Sequence, residues 1–457
     1  MFADFLVRFY RDRRGNVAII FALSLLPAVF LIGMALDFSA AIQKRTKLNA
    51  AADAAALAAV TPTMMAQSVA AAQTAATNMF NAQASGLSGL SYTNPQVTIV
   101  QTATTRTATV CYGGACGTAA SVNNFPNILG QTNWSISGSS TATATSPPNV
   151  DFYLLLDNSP SMDLPATSAG ITTMINATKN APTSGGNANG CAFACHETNP
   201  SADNLGNPGG VDNYQLAINL GVVTRIENMN TATQSLMTTA QQMETSNLVT
   251  CPGGQGCYRM AIYTFNAGGT STIQTLTSNL TMAANSAKTI DVLEVCQNND
   301  LTCGNNNNDE DTDFNSAMSQ LNGIMPSPGT GASNSTPMEV LFLVSDGVDD
   351  KNSSTCSQTK TGNRCQQPFD TTWCTTVKNR GILIAVLYTE YLPLPSTGVG
   401  SNSWYNSYVA PYQPQIATNM QSCASPGLYF EVTTDGDIQT AMSALFQQAV
   451  ATARLSQ

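Results

Sequence analysis

Histidine is almost missing from this chain: His196 is the only one in 457 residues. Metal sites rich in imidazole are ruled out with it, and catalysis by a histidine base is disfavoured. Charge is scarce too, at 10% of residues, and no cysteine precedes Cys111. The few charges are unevenly spread. Residues 1–50 hold seven Lys/Arg against three Asp/Glu, and the remainder holds 11 against 25, so a basic start is followed by an acidic body. A body of that sign repels phosphate backbones, which argues against nucleic acid as a partner. Also lacking are a P-loop, a Gly-x-Ser-x-Gly nucleophile elbow and an HExxH zinc helix. Without a general base of tuned pKa, hydrolysis by paired carboxylates is a weak reading, and no enzyme is expected.

What is present begins with an apolar run. Val17 to Leu36 carries no charge over 20 residues. A helix of that length spans about 30 Å, the thickness of a bilayer's hydrocarbon core. Pro27 sits mid-span, where it kinks a membrane helix without forbidding it. A cleaved signal peptide usually has a shorter apolar region, and Ser39-Ala40-Ala41 makes a poor cleavage site, so a retained anchor is expected. Arg8, Arg11, Arg13 and Arg14 before the span against Lys44, Arg45 and Lys47 after it barely set orientation. Cysteine does. All 12 follow the span, an even number that reads as disulfides in an oxidising compartment. Neighbours in sequence suggest Cys111 with Cys116, Cys191 with Cys195, Cys251 with Cys257, Cys296 with Cys303 and Cys356 with Cys365, leaving Cys374 for Cys423. The bulk of the chain is placed outside the cytoplasm.

Five stretches follow. Residues 1–16 form a cytoplasmic tail and 17–36 the transmembrane helix. Residues 37–84 are rich in alanine, the best helix former, and read as a helical stalk, with a second helix from Pro62 to about Ala82. Residues 85–148 turn to Thr, Ser and Gly and read as a small β module, with strands at Val97–Val100, Thr102–Val110 and Thr141–Ala144. Residues 149–457 open on Val150–Leu156, a run apolar enough to be buried on both faces of a parallel sheet. Further strands are predicted at Met260–Phe265, Val340–Val344, Ile382–Leu387 and Leu428–Val432. Helices are predicted between them at Tyr214–Met243, Asp313–Ile324, Thr371–Asn379 and Asp437–Ala451. Strands alternating with helices imply an α/β fold with an open parallel sheet, helices on both faces, and a site beyond the strands' carboxyl ends.

The first strand ends in Asp157-Asn158-Ser159-Pro160-Ser161, and Val340–Val344 ends in Ser345-Asp346-Gly347. Residues at i, i+2 and i+4 of an extended loop point to one side, so a carboxylate and two hydroxyls converge there. Asp346 adds a second carboxylate from the same sheet edge, and Thr312, just before the Asp313–Ile324 helix, a further hydroxyl, with Thr330 as the alternative. These are hard oxygen donors, suited to Mg²⁺ or Mn²⁺, with Ca²⁺ a third possibility. The competing reading is that these residues only cap the following helix. The pattern resembles the metal-ion-dependent adhesion site of a von Willebrand factor type A domain. That resemblance implies that Ser159, Ser161 and Thr312 touch the cation, that Asp157 and Asp346 act largely through bound water, and that a partner's carboxylate completes the coordination. Pro160 and Asp311 stand where the family usually has Gly.

The other end carries a second resemblance. Arg13-Arg14-Gly15-Asn16-Val17-Ala18-Ile19-Ile20-Phe21-Ala22-Leu23, followed by LNAAADAAALAA, is similar to the start of TadG-like proteins of bacterial tight-adherence (Flp) pilus-assembly systems. Their pseudopilin relatives have Glu at the fifth position after the glycine. Ile20 stands there in this chain, which implies an uncleaved, single-pass inner-membrane anchor with a periplasmic body. The function implied is a pilus-assembly component that binds a divalent cation and docks a protein partner. A structural scaffold or minor pilin-like subunit, in which the metal only stabilises the fold, is the first rival, and a metal-dependent hydrolase the second. Cys191-Ala192-Phe193-Ala194-Cys195-His196 has one residue too many for covalent haem attachment, so a local disulfide and a surface His196 are expected. Asn305–Asp313 lacks the EF-hand layout and reads as a solvated loop. Its carboxylates, with Asp349 and Asp350, would add negative potential beside the cation or merely cap.

Overall fold

The computed structural model describes residues 14–455 except 66, 103–104, 126–129, 181–189, 199–206, 247–255, 297–311, 361–363, 392, 398, 401–402 and 433–436. It divides into two compact units, Met1–Ser146 and Pro147–Gln457.

The first unit starts with α1 (Arg14–Ala59), continuous through Pro27, then α2 (Pro62–Met65) and α3 (Val69–Ala84). The single helix predicted over 62–82 is broken after Met65. Ser68 caps the new start by accepting the N–H of Ala71 at 3.2 Å, and the Arg106 guanidinium takes up the Met64 and Gln67 carbonyls that the break releases. The strands β1 (Leu90–Tyr92), β2 (Gln96–Gln101), β3 (Thr105–Tyr112), β4 (Ala119–Val122), β5 (Asn133–Ser135) and β6 (Gly138–Thr145) form two antiparallel three-stranded sheets, β1-β4-β5 and β2-β3-β6. The alanine-rich part of α1 is not a bare stalk. Leu48, Ala51, Ala52, Ala55, Ala56 and Ala59 are buried with Ala72, Ala76 and Phe80 of α3 and Ala108, Val110 and Tyr112 of β3. Small side chains let these backbones approach, and Tyr112 donates its hydroxyl to Asn49 at 2.6 Å. Cys111–Cys116 is a disulfide.

The second unit runs β7 (Val150–Asp157), α4 (Ser168–Thr178), α5 (Asn213–Asn219), α6 (Arg225–Ser246), β8 (Tyr258–Asn266), β9 (Gly269–Thr277), α7 (Leu280–Ala287), α8 (Phe314–Ile324), β10 (Met338–Ser345), β11 (Val348–Asn352), β12 (Arg364–Pro368), α9 (Thr372–Asn379), β13 (Leu383–Thr389), α10 (Ser403–Tyr408), α11 (Gln413–Cys423), β14 (Tyr429–Val432) and α12 (Ile438–Leu455). Its six-stranded sheet has the order β14-β13-β10-β7-β8-β9. All neighbours are parallel except β9, which returns antiparallel to β8 at the edge. Phe152, Leu154 and Leu156 face a core shared with α6, α7 and α12. Tyr153 and Leu155 face the opposite core, made with α8, α9 and α11. The fold class is thus the mixed, mostly parallel α/β sheet between two helical layers.

Three details differ from the sequence reading. The helix predicted over 214–243 is two, α5 and α6, because Gly221 turns the chain at a φ of +67° and Glu227 accepts the Thr224 N–H at 2.9 Å to start α6. β9 and the β11–β12 hairpin are additions. Cys356–Cys365 and Cys374–Cys423 are disulfides, but Cys191 and Cys195 are buried and not joined. The Cys195 thiol is instead hydrogen-bonded to Cys191, which together with burial holds it well above the usual thiol range. Cys257 and Cys296 are disulfide-bonded, and Cys251 and Cys303, the partners expected for them, lie outside the described residues.

Candidate metal centre

The continuous apolar stretch of β7 buries all eight of its residues and delivers Asp157 to the carboxyl edge of the sheet. β10 runs beside it in parallel, with Val344 opposite Leu156, so Ser345 arrives level with Asp157. Their side chains meet: the Ser345 hydroxyl donates to Asp157 Oδ2. Asp157 Oδ1 accepts the backbone N–H of Ser159 at 3.0 Å and its hydroxyl at 2.6 Å. The Ser159 and Ser161 hydroxyls lie 3.0 Å apart, and Ser161 in turn hydrogen-bonds Asp346. Pro160 opens a short 3₁₀ turn over Pro160–Asp163, where its fixed φ suits the first position. Asp157, Ser159, Ser161 and Asp346 therefore stand in one hydrogen-bonded row drawn from two adjacent strands.

Both carboxyls are buried. Burial, and then the charge of Asp346, pushes Asp157 up. Asp346 is also raised by burial, an effect that the Ser161 hydroxyl and the Arg225 charge oppose. Two carboxylates sharing one dry site behave as a coupled pair. Asp346 Oδ1 accepts the Val348 N–H at 3.2 Å, whereas its Oδ2 is buried with no hydrogen-bond partner. An orphaned anionic oxygen beside two hydroxyls and a second carboxylate is what a hard divalent cation satisfies, so the donor set fits Mg²⁺. Gly347 then turns the chain at a φ of +78°. A Cβ there would meet Ile416 at 2.5 Å and Met420 at 2.9 Å.

Thr312 is buried and positioned through its backbone, which exchanges two 2.9 Å hydrogen bonds with Asp350 of β11. It thus lies beside the strand that leaves Asp346. Thr330 is elsewhere: its neighbour Gly331 accepts the Asn149 N–H at 2.9 Å, before the start of β7, so it sits at the opposite edge of the sheet and is no substitute. Asp349 and Asp350 have structural work. Asp349 accepts the Phe314 N–H at 3.0 Å at the start of α8, and Asp350 pairs with Arg364 at 2.6 Å and accepts from Gln366 at 2.9 Å. Of the acidic run at 305–313, only Thr312 and Asp313 are among the described residues, and Asp313 caps α8 through the Ser316 N–H at 3.0 Å. His196 is not a surface residue: it is partly buried and paired with Asp212 at 2.9 Å, which raises its pKa.

Sequence reasoning missed two residues of the centre. Ser345 was visible only as a strand end, and its role depends on the β7–β10 register. Arg225 had no local signal. Its backbone N–H donates to the Leu164 carbonyl at 2.9 Å and its guanidinium to the Glu390 carbonyl, just beyond the strand that pairs with β10. One guanidinium nitrogen, Nη1, is buried without a partner. Burial lowers the Arg225 pKa, and the nearby Asp346 charge opposes that shift.

Residues 15–77 match the model of the putative Flp pilus-assembly TadE/G-like family. No curated protein matches the chain. Among solved structures, the chain is similar to the vWF domain of the type V pili tip protein Mfa5 from Porphyromonas gingivalis, at 11% identity over 68% of this chain and 97% of that one, with a TM-score of 0.34. It is also similar to proximal thread matrix protein 1 from the mussel byssus, solved with a zinc-occupied MIDAS motif, at 12% identity over 66% of this chain and 46% of that one (TM-score 0.31). A third is the SpRpn10 VWA domain, at 8% identity over 66% and 95% (TM-score 0.30).

Proposed function

We propose that this chain, whose N-terminal segment is TadE/G-like, is a single-pass inner-membrane component of a bacterial Flp pilus-assembly system. Its periplasmic body binds Mg²⁺ and docks a protein partner through a carboxylate. The observation that carries this reading is the row Asp157, Ser159, Ser161 and Asp346, closed from two parallel strands and ending on the unpaired Asp346 Oδ2. Those four residues, with Thr312, would hold the cation, and Mn²⁺ or Ca²⁺ would compete for the same oxygens. A bound divalent ion offers a positive centre with exchangeable positions to an incoming carboxylate. The chain's own part is to fix the serine hydroxyls, keep Asp157 oriented through Ser345, and supply a second positive charge nearby in Arg225. The arrangement is read as a binding site for a cation. A second reading, in which the metal only stabilises the fold, draws on the same row, since Asp157 is already hydrogen-bonded from both sides without an external ligand.

Calorimetric titration of the full chain in detergent with Mg²⁺ and Mn²⁺, wild type against Asp346→Ala, tests the proposal. Saturable heat from wild type and none from a folded variant is expected. Equal heats would remove the cation. Loss of partner capture by folded Asp157→Ala/Ser159→Ala supports docking, whereas loss of fold favours the stabilising role. Metal-dependent turnover of phosphoesters would point to an enzyme.

A further inference from the structure

The apolar span does not stand clear of the rest of its unit. Leu26, Leu31, Ile32 and Leu36 of α1 are all more than half exposed, but one face of the helix is covered. Gly33 is buried, and a Cβ there would meet the Phe125 Cβ at 2.8 Å. Phe125 therefore rides on the helix at a level three residues inside Leu36, or about 4.5 Å at the helical rise per residue. One turn later, Asp37 is 2% exposed. Its two carboxylate oxygens accept the backbone N–H groups of Asn124 at 2.8 Å and Phe125 at 3.1 Å. Phe38 meets Trp134 of β5 edge to face, with ring centroids 5.4 Å apart. The outer sides of Phe38, Phe125 and Val122 remain exposed, at 50%, 45% and 45%.

If Val17–Leu36 lies in hydrocarbon, whatever covers Gly33 lies at membrane depth. Backbone N–H groups at that depth must be satisfied within the protein, and Asp37 satisfies two of them. Aromatic side chains are the ones that collect where bilayer meets water. From this geometry we infer that Phe125, Phe38 and Trp134 form a membrane-contact surface set in the boundary between lipid headgroups and acyl chains, which holds the β module against the bilayer. The occupant is a phospholipid bilayer because the patch is continuous with the apolar face of α1. The inference rests on reading α1 as a span.

The test uses the full chain in vesicles of phosphatidylethanolamine and phosphatidylglycerol, with acyl chains plain, brominated near the headgroup or brominated near the chain end. In a background where Trp134, Trp373 and Trp404 are replaced by Phe, single tryptophans are introduced as L26W or F125W. A third chain keeps native Trp134 as its sole tryptophan, which covers the case of a poorly folded F125W. Bromine near the headgroup is expected to take most of the emission of F125W and to quench Trp134 as well, and bromine near the chain end to quench L26W, which sits at mid-span. Quenching of L26W with F125W and Trp134 both unaffected overturns the contact surface and leaves the anchor standing. Unquenched L26W overturns the span and the inference with it.

Discussion

Glu339 is a buried carboxyl with neither oxygen hydrogen-bonded, at the edge of the sheet away from the metal centre. It faces Asp151 across β10 and β7, and Asp151 faces Arg259 across β7 and β8. Arg259 gives its hydrogen bonds to Asp151, from Nε to Oδ1 at 2.6 Å and from Nη2 to Oδ2 at 2.5 Å, so the Arg259 and Arg380 charges offset the burial of Glu339 only in part. Burial first and the Asp151 charge second push Glu339 from 4.5 up to about 8. The folded chain thus keeps a proton that the unfolded chain releases. The stabilisation from that proton is complete below pH 4.5 and is lost as pH rises toward 8. Thermal melts across that window should show wild type losing stability relative to Glu339→Gln as pH increases. Parallel curves would contradict the assignment. Arg225 at the candidate metal centre is the contrasting case: a buried group with an unpaired nitrogen whose charge the nearby Asp346 favours.

At the scale of elements, the candidate metal centre depends on the turn between β10 and β11. Gly347 combines a left-handed φ with close packing against Ile416 and Met420 of α11, so no side chain fits without moving that helix or Asp346. Gly347→Ala should lower the unfolding free energy by roughly 1–3 kcal/mol and weaken Mg²⁺ binding at the same time. Denaturant titration and calorimetry on the one variant check both, and unchanged metal affinity in a destabilised protein would separate the turn from the site. The strands of this unit were legible because residues buried on both faces are almost all apolar, as in Val150–Leu156, where Asp151 is the one interruption and is paired with Arg259. β9 was not, because Gly269–Thr277 is an edge strand whose exposed positions carry Ser and Thr, with a polar Gln274 among its buried ones. The break between α5 and α6 was hidden for a related reason: apolar residues continue through Leu220–Val223, and only the conformation of Gly221 ends the helix.

For the whole molecule, the disulfides make the folding compartment testable. Cys374–Cys423 ties α9 to α11 across 49 residues of sequence, a closure whose chain-entropy contribution is roughly 4 kcal/mol. Expression in cells lacking the periplasmic thiol oxidase should give reduced chain and a fall in folded yield, read by mass after alkylation. Normal yield of fully reduced, folded protein would argue against a periplasmic body. Much of the molecule was set by local chemistry: the uncharged span, the helix-forming alanines, the buried strands and the two loops bearing Asp157 and Asp346. Each depends on neighbours in sequence, or on a period that a strand or helix imposes. Tertiary structure alone decided that the alanine helix packs inside the β module, that Thr330 lies at the wrong edge, that Cys191 and Cys195 stay as thiols, and that Ser345 and Arg225 complete the centre. Those outcomes depend on strand register and on which distant side chains share a buried space, and such contacts leave no periodic trace along the chain.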